Sequence, residues 1–115
     1  MYDYLPPRFI ERVDAIIAAN LTDENFSIAD LCRQLLMSYS HSYRLIKEKT
    51  NLSPSMYLRQ KRLEYACQLM EKTELNLTEI AYRSGFATLP YFSQSFSENY
   101  GYPPSHYRKQ LIYST

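Results

Sequence analysis

The chain repeats itself. Ser27, Asp30 and Leu31 are matched forty-nine residues on by Asn76, Glu79 and Ile80, and Leu36-Met37 by Gly85-Phe86. One residue is then inserted. At an offset of fifty, Ile46 matches Phe96, Asn51 matches Gly101, and Pro54, Ser55 and Tyr57 return identically as Pro104, Ser105 and Tyr107. Helix cap, turn, core position and helix stop recur in the same order, and agreement of structural roles is harder to reach by chance than a few identities. Such a chain folds as two copies of one short supersecondary unit.

Each unit reads as helix. Phe9, Val13, Ile16, Ile17 and Leu21 fall at helical spacing and predict a first helix over 7–20. Ile28, Leu31, Cys32 and Leu35 predict a second, with Ser27 as N-cap and Asp30 completing a capping-box pair. A third runs over 39–49 between Ser38, its cap, and Asn51, a residue that tolerates the left-handed stop. Ser53-Pro54 opens a fourth, to Lys72, since Pro at a first helical position sacrifices no hydrogen bond. Asn76 with Glu79 starts a fifth, to Ser84. A sixth covers 88–99 and ends at Gly101, and Pro103-Pro104 opens a seventh, to Leu111. Two glycines in the whole chain speak against a turn-rich β fold. The expected architecture is all-α. Seven helices form two helix-turn-helix subdomains (7–53 and 74–111), joined by a linker helix over 54–73 in one domain spanning 1–115.

In a helix-turn-helix the second helix lies in the DNA major groove, and its outward side chains meet base edges. In the first unit Leu45 and Ile46 face inward with Ser42 and Lys49 on their stripe. The opposite stripe is Ser40, Tyr43, Arg44 and Lys47. Arg44 suits a guanine edge, while Ser40 and Tyr43 suit hydrogen bonds to a base or a phosphate. In the second unit Phe92 and Phe96 face inward, and the outward stripe is Pro90, Ser93, Gln94 and Ser97. Gln94 suits adenine. No Lys or Arg occurs from Ala87 to Tyr100. The second unit is therefore expected to grip more weakly, leaning on backbone amides at its helix N-terminus near Thr88. The alternative for this stripe is an ordinary solvated helix face.

A net charge of +1 does not by itself suggest nucleic acid, but its distribution does. Residues 38–63 hold six Lys/Arg (Arg44, Lys47, Lys49, Arg59, Lys61, Arg62) against the single acid Glu48, whereas 1–37 hold three against six. That is a local field suited to phosphate. A linker helix of about seventeen residues spans ~26 Å, and with helix widths added the two reading helices approach the ~34 Å between successive major grooves. Arg59, Lys61 and Arg62 are expected to neutralise phosphates between them. For Arg62, pairing with Glu64 or another nearby acid is the competing expectation.

Other function classes find little support. His41 and His106 are the only histidines, with no metal-ligand spacing, phosphate loop or nucleophile–base arrangement. No cofactor is expected. Cys32 and Cys67 lie among apolar residues in no metal or disulfide pattern and read as core positions in a reducing, cytoplasmic setting. The first twenty residues are too charged for a signal peptide or membrane span, so no membrane partner is expected.

The residues resemble a known family. Ser27-Ile28-Ala29-Asp30-Leu31-Cys32, the run Met37 to Lys47, and Ser53-Pro54-Ser55-Met56-Tyr57-Leu58-Arg59 resemble the first half of the AraC/XylS transcription-regulator domain. Leu77 to Phe86, Tyr91 to Phe96, and Gly101 to Arg108 resemble its second half and signature. The likeness covers about 8–109. It implies a bacterial transcription regulator, an activator, with double-stranded promoter DNA and RNA polymerase as partners. It also implies base contacts from Ser40, Tyr43 and Arg44 in the first unit and from Pro90, Ser93 and Gln94 in the second. The full DNA-contact set expected is Tyr39, Ser40, Tyr43, Arg44, Lys47, Arg59, Arg62, Thr88, Pro90, Ser93 and Gln94.

The chain departs from the family at three places. Leu36 stands where the family has Gly, and a left-handed Leu costs ~1–2 kcal/mol, so the first turn is expected to be rebuilt. Ser42 replaces a core leucine and is expected to weaken packing. Gln94 and Ser97 replace basic residues. Family members carry a sensor or receiver domain, so this chain reads as an excised C-terminal domain or a small stand-alone regulator. Its opening resembles the segment before this domain in some two-component response regulators. The rival reading is a helical protein-interaction module derived from such a regulator, which the modest charge and twelve tyrosines would also suit.

Overall fold

The computed structural model describes residues 5–114. Among these, seven helices and no strand are found: α1 (Leu5–Ala19), α2 (Ile28–Leu35), α3 (Tyr39–Thr50), α4 (Pro54–Lys72), α5 (Leu77–Arg83), α6 (Leu89–Tyr100) and α7 (Pro104–Ser114). Expected and observed helix ends agree within about a turn. The caps explain that agreement. Ser27 and Asp30 form a reciprocal capping box. Ser38, Asn76 and Thr88 each accept the backbone N–H three residues on. Asn51 (φ 64°) and Gly101 (φ 87°) end α3 and α6 in the left-handed region.

The chain divides into two compact units. The first comprises α1 to Leu21 with Asn25–Leu58, and the second comprises Thr22–Glu24 with the chain from Arg59 onward. Helix α4 contributes to both.

In the first unit Phe9, Val13 and Ile17 of α1 pack with Phe26, Leu31, Leu35, Ile46, Tyr57 and Leu58. Two long-range bonds tie its helices. Tyr57 donates its hydroxyl to Asp14 Oδ1 at 2.6 Å, and Arg12 Nη2 donates to the Leu35 carbonyl at 3.3 Å. Ser42 is fully buried, and its hydroxyl has no hydrogen-bond partner among the described residues. The expected weak spot is thus a buried polar atom as well as a lost leucine.

In the second unit Leu63, Ala66 and Met70 of α4 pack with Ile80, Ala81, Phe86, Phe92 and Phe96. Phe96 sits at the centre of a ring cluster, with Phe92, Tyr100 and Tyr107 at centroid distances of 5.9, 4.5 and 5.8 Å. Tyr107 donates to Glu71 Oε2 at 2.5 Å, and Arg108 donates to the Thr73 and Leu75 carbonyls.

Candidate nucleic-acid interface

Helices α3 and α6 are each preceded by the same turn. In the first unit the N–H of Leu36 bonds to the Arg33 carbonyl and that of Met37 to the Cys32 carbonyl. In the second, Gly85 bonds to Tyr82 and Phe86 to Ala81, the same four stations moved by forty-nine. These paired bonds close a Schellman-type helix end, which needs a left-handed residue at its apex. Gly85 supplies it at φ 89°, and Leu36 supplies it at φ 59°. The first turn is therefore not rebuilt, contrary to expectation. Leu36 takes the left-handed conformation with its side chain 89% exposed, so the strain is met without an added steric clash in the core.

Helix α3 separates its faces as its spacing predicts. Ser42 and Ile46 are buried and Leu45 is half-buried. Tyr39, Ser40, Tyr43, Arg44 and Lys47 are all exposed, as is Lys49, which the sequence put on the inner stripe. Arg44 makes no hydrogen bond or ion pair among the described residues. Lys47 Nζ donates to the Asn51 carbonyl at 3.1 Å, an exposed contact at the negative end of α3. The Tyr39 and Tyr43 rings, one helical turn apart, lie with centroids 6.0 Å apart and planes tilted by 51°.

Helix α6 presents a quieter surface. Phe92 and Phe96 are buried, Pro90 and Gln94 are exposed, and Ser93 and Ser97 are half-buried. Gln94 Nε2 donates to Glu98 Oε2 at 3.2 Å, while Arg59 Nη1 meets Glu98 Oε1 at 3.4 Å. One carboxylate therefore holds both the expected adenine reader and an expected phosphate contact. Sequence reading missed Glu98, although its position four residues after Gln94 was a usable signal. The N-terminal amides of α6 are also scarcer than expected. Pro90 has no N–H, and the Tyr91 N–H is given to Thr88 Oγ1 at 3.2 Å.

The two linker arginines have intramolecular tasks. Arg59 is mostly shielded and faces Glu98. Arg62 Nη2 donates to the Asp23 carbonyl at 3.1 Å. Its guanidinium is half-buried, which pushes its pKa down, while Tyr91 and Asp23 pull it back up. The nearby acid is thus Asp23, while Glu64 accepts from Gln60 and faces Lys61. Arg59 thus lies beside Gln94 through their shared Glu98, while Arg62 is turned to Asp23.

The geometry is that of two helix-turn-helix units with unequal outer faces, and comparison with known proteins points the same way. A family described as a helix-turn-helix domain matches residues 31–110. The HTH-type transcriptional activator RhaR of Mannheimia succiniciproducens is 30% identical over 105 residues, which cover 90% of this chain and 38% of that protein. A transcriptional regulator of Chromobacterium violaceum, of the AraC-type DNA-binding class, superimposes with a TM-score of 0.81 at 27% identity, covering 88% of this chain and 89% of that one. The DNA-binding domain of the global transcriptional factor AdpA, solved in complex with a target DNA, superimposes with a TM-score of 0.79 at 26% identity, covering 85% and 87%. The chain spans only 8%, 38% and 42% of the length of three curated relatives it matches. No helix among the described residues is long and apolar enough to cross a membrane. Repeat, turn and fold converge on one conclusion: the chain belongs to the AraC-type helix-turn-helix family of DNA-binding transcription regulators.

Proposed function

We propose that the first unit supplies most of the sequence reading, and that the module serves as a promoter-binding activator. The observation that carries this reading is the exposed stripe Ser40, Tyr43, Arg44 and Lys47 over buried Ser42 and Ile46. Arg44 carries a fork of donors suited to guanine O6 and N7, and Ser40 and Tyr43 bring hydroxyls for bases or phosphate. Lys47 exchanges its Asn51 carbonyl for a phosphate, a cheap trade at an exposed site. In the second unit Gln94 leaves Glu98 to read adenine, with Pro90, Ser93 and Thr88 along the backbone. Its affinity contribution is small because α6 carries no cation. On this reading 7–53 and 74–111 address adjacent major grooves and 54–73 links them.

The protein partner of such an activator is RNA polymerase, and the compartment is the bacterial cytoplasm. The short share of its relatives' length supports a parent protein with a separate sensor or receiver domain. Selection of bound duplexes from a random pool, followed by sequencing, tests the reading. Two enriched half-sites about one helical turn apart mean both units read. A single half-site assigns base reading to the first unit alone. No enrichment and no salt-sensitive binding overturns the reading and favours a protein-docking module, because phosphate contacts must weaken steeply as salt rises.

A further inference from the structure

We propose that Tyr39 and Tyr43 read thymine by taking its 5-methyl group against their paired rings. The proposal rests on the reading that α3 faces the major groove. Tyr39 is the first residue of α3 and 56% exposed, and Tyr43 is 38% exposed. Residues at the start of a reading helix are those that reach base edges. The two ring centroids lie 6.0 Å apart with the planes tilted by 51°, and both residues remain exposed, so the pair offers one apolar aromatic surface to solvent. Neither phenol has a hydrogen-bond partner among the described residues.

The pair is continuous with the polar stripe of Ser40 and Arg44, each one residue further on. Thymine is the base that suits this arrangement. In the major groove it alone presents a methyl group beside an acceptor, O4. A ring edge covers the methyl, and the phenol can donate to O4 or to a neighbouring acceptor. Guanine and cytosine offer only polar edges there, and Arg44 already meets the guanine pattern. The first half-site is therefore expected to combine a guanine with one or two thymines.

Deoxyuridine tests this, because it lacks only the methyl group. Each thymine of the selected first half-site is replaced in turn, and Kd is measured with the whole chain. At one or two positions binding should weaken about fourfold, the weight of one buried methyl group. Tyr43→Phe should keep that loss, whereas Tyr43→Ala or Tyr39→Ala should make thymine and deoxyuridine duplexes bind alike. Both tyrosines are exposed, and circular dichroism checks that the variants stay folded. If deoxyuridine is neutral at every position while specific, salt-sensitive binding persists, methyl reading is wrong and the rings serve only as phosphate donors. A first half-site without thymine overturns it equally. Absence of specific binding altogether overturns the underlying reading of α3 along with it.

Discussion

Tyr57 and Tyr107 stand fifty residues apart, and each donates its hydroxyl to a carboxylate on another helix: Asp14 at 2.6 Å and Glu71 at 2.5 Å. The repeat thus extends to its buried-edge chemistry, with α1 supplying the acceptor in one unit and α4 in the other. The two bonds differ in shielding. Tyr57 is 9% exposed, whereas Tyr107 is only half-buried and its bond lies toward solvent. Tyr57→Phe should cost ~1.5–3 kcal/mol, as for a shielded bond to a charged group, and Tyr107→Phe less than ~1 kcal/mol. Urea unfolding of both variants checks the order.

Leu36 holds a left-handed backbone that glycine adopts freely. Leu36→Gly removes ~1–2 kcal/mol of strain and restores ~0.5–1 kcal/mol of unfolded-state freedom. The net expectation is a gain of roughly 0.5–1 kcal/mol with DNA binding unchanged. Gly85→Ala should lower stability instead. Thermal unfolding of the two variants reads both signs.

Ser42 buries a hydroxyl without a partner at the station that Phe92 fills in the second unit. Ser42→Ala removes the stranded donor and raises helix propensity, so it should stabilise by about 1 kcal/mol. Denaturant midpoints measure it. A loss of stability would show that the hydroxyl is satisfied in solution.

Asp30 accepts from Arg33 Nη1 at 2.7 Å and from the Ser27 N–H at 2.9 Å, which hold its pKa down to about 2. The folded value lies below the unfolded one, ~3.9. The stabilisation is therefore complete above that unfolded value and disappears as pH falls through about 2. The stability gap between the wild-type chain and Asp30→Asn should narrow over that window. An NMR titration of the Asp30 carboxyl in Arg33→Ala should show its pKa rising.

Arg44 and Gln94 occupy corresponding exposed stations on α3 and α6, one charged and one neutral. Arg44→Ala should abolish sequence preference, since a bidentate guanine contact carries ~1–3 kcal/mol of discrimination. Gln94→Ala should cost much less, because the wild-type side chain must first leave Glu98. Competition binding against scrambled duplexes separates the two. If neither substitution alters binding, the reading faces are assigned wrongly.

The local features were legible because their causes are local. Ser27, Ser38, Asn76 and Thr88 cap where their side chains reach an N–H three residues on. The exposed face of α3 follows from helical period alone. The fates of Arg59 and Arg62 were not legible, since their partners Glu98 and Asp23 lie thirty-nine residues away in sequence. Period also put Lys49 with the core stripe, although its long stem carries the ammonium to solvent. At Leu36 the sequence shows an unfavourable residue, but whether a chain absorbs that strain or avoids it depends on the two main-chain bonds that close the turn.

Helix α3 bears Arg44, Lys47 and Lys49, while the only charged side chain on α6 is the acid Glu98. Two copies of one unit have thereby acquired one face rich in cations and one with none. On the proposed reading the site acquires a polarity: inverting it turns the whole module around, so any neighbour bound beside it meets a different surface.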